Sequence, residues 1–479
     1  MACDTGSSTS LEQHLKESSL KLTTEEFAAY LDSHDELSHL RKEFIVPKNK
    51  NRSDYGGDKP EGESTYLLGN SLGLQPVKTR ATVNEQLDKW ANIGIEGHFK
   101  DPYPWYPIGE TAADRILHVV GAKSRREVAV MNSLTVNVHL MLVAFYQPTE
   151  TRHKIVIEST AFPSDRYAIA SQIKQRGFDP KTSLIELKPS QDGELVTRTE
   201  DIEDLLEREG DSIAVVMLGG IQFFTGQLFD MKRISELCHA HGCYAGFDLA
   251  HAAGNVPLYL HDWDVDFACW CSYKYLNSGP GGIAGAFMHD RHSENFDLNR
   301  FAGWWGNDPD KRFEMTHDFQ PLPGVASFQL SNPPVLETAS LLASLDVFSL
   351  TSMEALRKKS LLLTGYLESL LCELLGCERG PSVTQQTAQE PHAKRASCSV
   401  KILTPREPDH RGCQLSLKFS CHINAIEDAL ARQGVVVDGR KPDVIRVAPV
   451  PMYNTFSDVH RFVTTLISAM ESTRAESSQ

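Results

Sequence analysis

Short apolar runs alternate with amphipathic segments through the central part of the chain, from residue 128 onward. The runs KIVIES (154–159), SIAVVML (212–218) and CYAGFD (243–248) are almost wholly apolar, which is typical of buried strands. The segments after residue 132, after residue 164 and around 234–241 carry apolar residues at helical spacing. Strand, helix and strand in this order predict βαβ units and a mainly parallel sheet with helices on its faces.

The pattern changes beyond residue 350. A long helix is predicted over 354–375, followed by a polar segment, 380–397, that we expect to be a mobile loop. CQLSLKFS (413–420) alternates as a half-buried strand does, 425–433 has helical spacing, and VVVD and VIRVAP are strand-like. Apolar positions from 459 to 470 predict a last amphipathic helix. Together these elements predict a small α+β domain.

The first part of the chain is more polar. Residues 1–10 are small and polar and are expected to be disordered, and Thr23 with Glu26 predicts a capping box ahead of a short helix. A polar connector, 48–65, leads to YLLGNSLGLQP (66–76), an apolar strand interrupted by a loop signal. We therefore predict three segments: an N-terminal helical arm and connector (1–65), a large α/β domain (66–350) and a small C-terminal α+β domain (351–479).

Composition narrows the class of protein. The 479 residues carry a formal charge of -15 with a pI near 5.6, which argues against binding to a nucleic-acid backbone. None of the ten cysteines has the paired C-x2-C spacing of a zinc site, so we expect small core residues with reduced thiols and no metal. We find no secretory leader and no apolar run that could span a bilayer. A cytoplasmic protein without a nucleic-acid or membrane partner is expected.

The strongest chemical signal lies between residues 246 and 285. It contains Asp248 and His251, then Tyr273 and Lys274 in an aromatic, apolar run, then a glycine-rich turn. Burial favours the neutral, nucleophilic form of a lysine, which a Schiff base requires. The ordinary interpretation is a Lys that extends to solvent beside an Asp that caps a helix. In a parallel sheet, however, the ends of successive strands meet at one edge, and Asp248, 159–165 and 219–225 would all lie there.

Six motifs along the chain then give a resemblance to a known family, in which they occur in the same order. SYKYLN, GFDLAHA, MNSLTVN, AFPSD, SNPP and RVAPVPMYN together resemble the kynureninase family of fold-type-I enzymes dependent on pyridoxal 5'-phosphate (PLP), over residues 66–454. The resemblance implies that the large domain binds PLP. It also implies a homodimer with shared active sites. The implied reaction is hydrolysis of L-kynurenine or L-3-hydroxykynurenine to L-alanine and anthranilate or 3-hydroxyanthranilate, in the tryptophan degradation that leads to NAD biosynthesis.

The resemblance also implies roles for individual residues. Lys274 is similar to the lysine that binds PLP covalently, Asp248 to the carboxylate on the pyridine nitrogen, and Tyr273 to a phosphate contact that also relays protons. Further residues that resemble cofactor contacts are His251 near the phenolic oxygen, Phe162 on the ring, Pro163, Ser164 and Asp165 in the same loop, Leu134 and Thr135 at the phosphate, and Trp304 and Asn332 from the neighbouring subunit. The residues similar to substrate contacts are Asn70, Ser71, His98, Ser331 and Asn332 near the aryl end, and Arg446 at the α-carboxylate.

Two positions depart from the family's pattern. Gly219 stands where a small hydroxyl residue is expected, and Asn307 where a histidine is expected. A side-chain contact to the cofactor at Gly219 and the preference for one substrate ring are therefore open.

Three other functions are compatible with parts of the sequence. A PLP-dependent desulfurase would need a reactive cysteine, for which Cys398 is the nearest candidate. A PLP-free scaffold would keep only the fold. A dinucleotide enzyme would need more than the glycines of 279–285, which are more typical of a turn.

Overall fold

The computed structural model describes residues 6–51, 60–190, 193–315, 317–384 and 398–477. The helices are α1 (Gly6–Ser18), α2 (Glu25–Ser33), α3 (Val77–Ile93), α4 (Ile108–Val120), α5 (Leu134–Phe145), α6 (Pro163–Gln175), α7 (Pro180–Ser183), α8 (Thr199–Glu209), α9 (Met231–Ala240), α10 (Val335–Phe348), α11 (Met353–Leu375), α12 (Asn424–Arg432) and α13 (Phe456–Ser477). The strands are β1 (Phe44–Ile45), β2 (Thr65–Tyr66), β3 (Gln75–Pro76), β4 (Val128–Val130), β5 (Lys154–Glu158), β6 (Leu184–Leu187), β7 (Ile213–Gly219), β8 (Tyr244–Asp248), β9 (Phe267–Cys271), β10 (Ala284–Met288), β11 (Val400–Ile402), β12 (Leu415–Phe419), β13 (Val435–Val436), β14 (Asp438–Arg440) and β15 (Val444–Val447).

The chain divides into two compact units. The first unit comprises Met1–Val77, Phe224–Leu228 and Leu350–Gln479, and the second comprises Lys78–Phe223 and Phe229–Ser349. The N-terminal arm that we predicted as a separate segment belongs to the first unit, as do residues 66–77. Burial explains this grouping, because Phe27 and Leu67 share one apolar core with residues of α11, α13 and β12.

A seven-stranded sheet organises the second unit. Its order is β4-β10-β9-β8-β7-β5-β6, and the five strands from β9 to β6 are mutually parallel. The predicted α/β class with a mainly parallel sheet is confirmed. Strand β10 runs antiparallel to both of its neighbours, β9 and β4, so β4 has the same direction as the five parallel strands. The apolar pattern did not indicate this one reversed strand. In register, Gly219 at the end of β7 faces Asp248 at the end of β8, so the predicted chemistry lies at the carboxyl edge.

The first unit contains a four-stranded antiparallel sheet in the order β11-β12-β15-β14. Its inner face packs on α11, α12 and α13 through a continuous apolar core. Arg446 on β15 lies opposite Ser416 on β12 and Asp438 on β14. The small α+β architecture predicted for the C-terminal part is therefore present, with the N-terminal helices added to it.

Several local predictions are corrected. Residues 6–10, expected to be disordered, belong to α1. The N-cap of α2 is Thr24, whose hydroxyl accepts from Phe27 N at 3.3 Å, rather than Thr23. Most of the loop predicted at 380–397 lies outside the described residues.

The cysteine prediction also needs a correction. Cys398 and Cys421 form a disulfide with a Cα–Cα separation of 5.6 Å, because the two positions face each other just beyond the paired strands β11 and β12. Seven other cysteines of the described residues do not belong to a disulfide.

Membrane spanning can be assessed only for the described helices. No single one of them is both long and apolar enough to cross a bilayer. Helices α10 and α11 together have the required length and apolar composition, but they are bent by 78° relative to each other.

Candidate active site

Lys274 and His251 are in direct contact. Lys274 lies on the loop after β9, and its Nζ is 2.9 Å from Nε2 of His251, which follows β8. Strands β8 and β9 are parallel neighbours, so their carboxyl ends bring these two loops together. The side chain of His251 is buried, with 6% of its surface exposed. A neutral imidazole can accept a hydrogen bond from the lysine ammonium in this geometry.

Helix α10 holds the loop that carries Lys274. The hydroxyl of Ser344 donates to Leu276 O, and that of Ser340 donates to Ser278 O, each at 2.6 Å. Within the loop, Asn277 adopts a positive φ of 52° and its backbone N–H donates to Lys274 O at 3.1 Å. These bonds fix the backbone on the C-terminal side of Lys274 and so orient its side chain.

Three buried carboxyl groups lie behind the lysine. The pKa of Asp248 is raised by burial, although the backbone N–H of Ala250 and the charge of Lys274 act in the opposite direction. The pKa of Asp165 is raised well above its usual range by burial and by Asp248, to which it is hydrogen-bonded. Asp165 therefore holds the proton of this pair, and Asp248 is the carboxylate beside Lys274.

The third carboxyl group, Glu158, was missed by the sequence analysis. It ends the apolar strand β5, and burial raises its pKa to about 7. The sequence did contain a signal, since an acid closes an otherwise apolar run at the edge where ligands bind. Asp248 itself does not cap a helix. Its Oδ1 accepts from Ala250 N at 2.7 Å in a series of turns.

Helices α5 and α6 begin side by side. The hydroxyls of Thr135 and Ser164 are 2.8 Å apart, which joins the first turns of the two helices. Leu134 opens α5, no side chain caps that helix, and Pro163 opens α6. The ring of Phe162, immediately before α6, is 45% exposed, which is unusual for an aromatic side chain beside buried carboxyl groups. Backbone donors, hydroxyls and an exposed ring suit an anionic aromatic ligand.

Tyr273 is a protonated neighbour of the lysine. Burial raises the pKa of its phenol well above the usual value, and its hydroxyl shares a hydrogen bond with Cys271. The pKa of Cys271 is itself raised to about 11, mainly by burial. Both groups keep their protons near neutral pH, so Tyr273 can act as a proton donor but not as a ready base.

Gly219 lies against Glu158. Its backbone N–H donates to Glu158 Oε2 at 3.4 Å. A Cβ at this position would be 3.3 Å from Glu158 Oε1 and 3.2 Å from Ile221 O, so a side chain here would need small shifts of its neighbours. The departure from the family's hydroxyl residue thus leaves Glu158 with a backbone donor only.

The remaining predicted residues of the second unit are more exposed. His98 is partly buried and Ser331 and Asn332 are exposed, whereas Trp304 is 49% exposed and donates from Nε1 to Arg312 O. The side chain of Asn307 is buried, and its Oδ1 accepts from Gln320 N at 2.7 Å. The hydrogen bond between Asn307 and Gln320 N therefore connects two loop segments.

Asn70, Ser71 and Arg446 belong to the first unit. Asn70 is fully buried and donates to Gln414 Oε1 at 2.9 Å, while its own Oδ1 has no hydrogen-bond partner among the described residues. Ser71 is partly buried. Arg446 is 1% exposed, and its Nε donates to Asp438 Oδ2 at 2.6 Å. A buried arginine and an unpaired amide oxygen are groups that a polar ligand can satisfy.

The features behind the other functions can also be located. Cys398 is bonded to Cys421 and has no free thiol in this structure. The glycines of 279–285 form a turn between the antiparallel strands β9 and β10, with positive φ at Gly279 and Gly281, and no helix follows as in a dinucleotide fingerprint.

One group of side chains has the chemistry of a metal site. Among the described residues, Glu127, His261 and His289 place their ligand atoms within 4.8 Å of one another. The carboxylate of Glu127 already accepts from Lys123 N, Asp290 N and His261, and the two imidazole rings are stacked, so their lone pairs do not converge on one point.

Comparisons with known proteins assign the family. Residues 66–407 match the model of class-V aminotransferases, and residues 378–466 match that of the kynureninase C-terminal domain. Kynureninase from Monosiga brevicollis is 49% identical over 95% of this chain and 98% of its own length. The kynureninases of Mus musculus and Homo sapiens are 47% and 46% identical, each over 94% of both chains.

Solved structures agree on the fold. The cysteine desulfurase CsdA from Escherichia coli superposes with a TM-score of 0.69 at 17% identity, over 91% of this chain and 98% of its own. A cysteine desulfurase from Thermococcus onnurineus superposes with a TM-score of 0.65 at 14% identity, over 85% and 94% of the two chains. At these identities the likeness concerns the fold alone. The sequence matches over nearly the whole chain show that this protein belongs to the kynureninase family.

Proposed function

We propose that this enzyme uses PLP to hydrolyse L-kynurenine and L-3-hydroxykynurenine, giving L-alanine and anthranilate or 3-hydroxyanthranilate. This reaction lies in tryptophan degradation toward NAD biosynthesis. The observation that carries the proposal is the contact between Lys274 and His251 next to the buried Asp248, in a chain of the kynureninase family. A PLP-free scaffold would not need a lysine whose charge acts on a buried carboxyl group.

The residues around Lys274 fit PLP. Asp248 would hold the pyridine nitrogen, His251 the phenolic oxygen and Phe162 the ring face, while Leu134, Thr135 and Tyr273 would hold the phosphate. Pro163, Ser164 and Asp165 complete the loop, and Trp304 and Asn332 are proposed to come from the neighbouring subunit. When bound, PLP supplies an electron sink that stabilises negative charge on the substrate carbon atoms.

The chain's own residues move the protons. Lys274 would hold the cofactor and would take up the α-proton, and the imidazole of His251, 2.9 Å away, could accept a hydrogen bond from it. The carboxylate of Asp248 would favour a protonated pyridine nitrogen, and Asp165 is hydrogen-bonded to Asp248. Tyr273, whose phenol stays protonated, donates to the β-carbon when the carbon-carbon bond breaks.

The two ends of the substrate would be bound by different polar side chains. Arg446 would take the α-carboxylate through its guanidinium. The unpaired Oδ1 of Asn70, with Ser71, His98, Ser331 and Asn332, would face the aryl end. Because Asn307 is bonded to Gln320 N, we assign it no direct contact with the ring.

Product analysis tests the proposal. The purified holoenzyme is given kynurenine and 3-hydroxykynurenine in competition, and both anthranilates and alanine are measured, while a parallel sample receives cysteine. Release of alanine with either anthranilate is expected; release of sulfide from cysteine without kynurenine cleavage would instead assign a desulfurase. Reduction with borohydride should leave the pyridoxyl group on Lys274, and a different labelled lysine would overturn the site.

We further propose a cytoplasmic homodimer with shared active sites. The exposed indole of Trp304 supports a contribution across subunits. Mixing Lys274→Ala with Trp304→Ala subunits should restore part of the activity if sites are shared. Analytical ultracentrifugation should give the mass of a dimer. A fluorescent fusion protein should be found in the cytoplasm.

A further inference from the structure

Residues 97–106 form a closed loop at the end of α3. Two backbone bonds close it, from Trp105 N to Gly97 O at 3.2 Å and from Tyr106 N to His98 O at 3.1 Å. The side chain of Lys89, about one turn before the end of α3, enters this loop. The two ends of the loop are therefore hydrogen-bonded to each other next to His98, and the ammonium group of Lys89 lies inside the loop.

The ammonium group of Lys89 donates hydrogen bonds to the backbone carbonyl groups inside the loop. Its Nζ donates to Lys100 O at 2.9 Å, Pro102 O at 2.5 Å and Tyr103 O at 3.2 Å, which matches its three N–H groups. Among the described residues no carboxylate forms an ion pair with this nitrogen, and only 8% of the residue is exposed. Loss of the ammonium would leave three carbonyls without their donor, so the loop conformation depends on it.

An aromatic ring transmits this constraint to His98. The ring of Trp105 lies 5.8 Å from Lys89 Nζ and donates from Nε1 to Gln86 Oε1 at 3.0 Å, one turn earlier on α3. The imidazole of His98 packs edge-on against the same ring at 5.3 Å between centroids. Gly97 permits this packing, because a Cβ there would come within 2.4 Å of the indole.

We infer that Lys89 is a positioning residue for His98, acting through the three loop carbonyls and Trp105 to hold the imidazole in place for the aryl end of the substrate. This inference rests on the proposed function. Lys89 does not touch the reacting atoms. Its removal should therefore weaken substrate binding more than it slows the chemistry.

The test compares Lys89→Met with Lys100→Met, which removes an exposed lysine side chain from the same loop. In holoenzyme, Lys89→Met should raise KM about tenfold with kcat within about twofold, and should speed amide hydrogen exchange in 97–106, whereas Lys100→Met should do neither. In a His98→Ala background the additional effect of Lys89→Met on KM should disappear, because both changes act through one side chain. If Lys89→Met does not fold, Gln86→Leu carries the same test through Trp105.

Each result decides a different point. Unchanged amide hydrogen exchange in residues 97–106 of Lys89→Met would show that Lys89 does not hold the loop. Faster exchange with an unchanged KM would show that the loop does not influence substrate binding. Additive effects of Lys89→Met and His98→Ala would overturn the route through His98. A parent enzyme that does not cleave kynurenine would refute the proposed function itself, and this is read from the parent before any variant.

Discussion

Nζ of Lys274 lies 2.9 Å from Nε2 of His251, so two groups that each can carry a proton share a single hydrogen bond. Only one of them can donate in that bond. Since the ammonium has no acceptor lone pair, an imidazole with a bare Nε2 fits the contact. The pair therefore places a lysine nitrogen and an imidazole in direct contact at the carboxyl edge of the parallel sheet.

Lys274→Ala should reduce turnover of kynurenine by at least about a thousandfold, because it removes both the covalent anchor and the proposed base. The variant should also lose the borohydride-stable pyridoxyl label. Lys232→Ala, at an exposed position of α9, is the matched control and should behave as the parent. Substantial turnover in Lys274→Ala would contradict the assignment.

Glu158→Gln should alter how stability depends on pH. The carboxyl pKa of Glu158 is raised to about 7, so its protonated form is favoured by folding, and its contribution is fully present below about pH 4.5 and lost as pH rises through 7. The difference from an ordinary carboxyl corresponds to about 3 kcal/mol at most. Glutamine stays neutral, so the variant should lack this part of the decline.

Urea unfolding of the PLP-free parent and of Glu158→Gln at pH 5 and pH 8 measures the effect. The variant should gain stability relative to the parent at pH 8 but not at pH 5. The charge of Glu158 also raises the pKa of Asp165, so its removal acts in the same stabilising direction at pH 8. An equal difference at both pH values would show that Glu158 does not titrate in this range.

Arg446→Gln should raise KM for kynurenine by about 10- to 100-fold, since a charge-assisted hydrogen bond to a carboxylate contributes about 1.5–3 kcal/mol. The matched control is Arg440→Gln, because Arg440 is more exposed and contacts the same Asp438 at 3.2 Å. Steady-state kinetics of both variants decide. An equal rise in KM for the control would indicate a general effect of disturbing Asp438 rather than substrate binding.

Cys421→Ser should destabilise the first unit by about 3 kcal/mol, because the disulfide with Cys398 closes a loop spanning 23 residues in sequence. Unfolding in urea, with and without a thiol reductant, measures this contribution. The reductant should lower the stability of the parent but leave Cys421→Ser unchanged. Cys372→Ser, at a free and partly buried cysteine, is the control.

Local patterns predicted most of the elements that carry the site. The apolar runs at 154–159, 212–218 and 243–248 correspond to β5, β7 and β8, because strands buried on both faces need continuous apolar sequence. Such runs do not encode direction, and so the reversed strand β10 was not foreseen. The N-cap shifted by one residue to Thr24, since Thr23 and Thr24 have the same capping chemistry and only backbone geometry separates them.

Contacts between side chains that are far apart in the chain could not be predicted from the sequence. The register that sets Gly219 against Asp248 and leaves Glu158 beside Gly219 depends on how β5, β7 and β8 pair. The disulfide between Cys398 and Cys421 likewise depends on the pairing of β11 with β12, and its positions gave no spacing signal.

By itself the sequence determined an acidic α/β protein with a lysine in an aromatic run, and its motifs resembled the kynureninase family. Those features are local, since periodicity, composition and short motifs follow from neighbouring residues. Only the tertiary structure decided that Lys274 meets His251, that Asp165 is hydrogen-bonded to Asp248, and that Lys89 fills the loop of His98. The physical reason is that burial and hydrogen bonding between groups far apart in the chain are set by packing, and packing sets their charge and orientation.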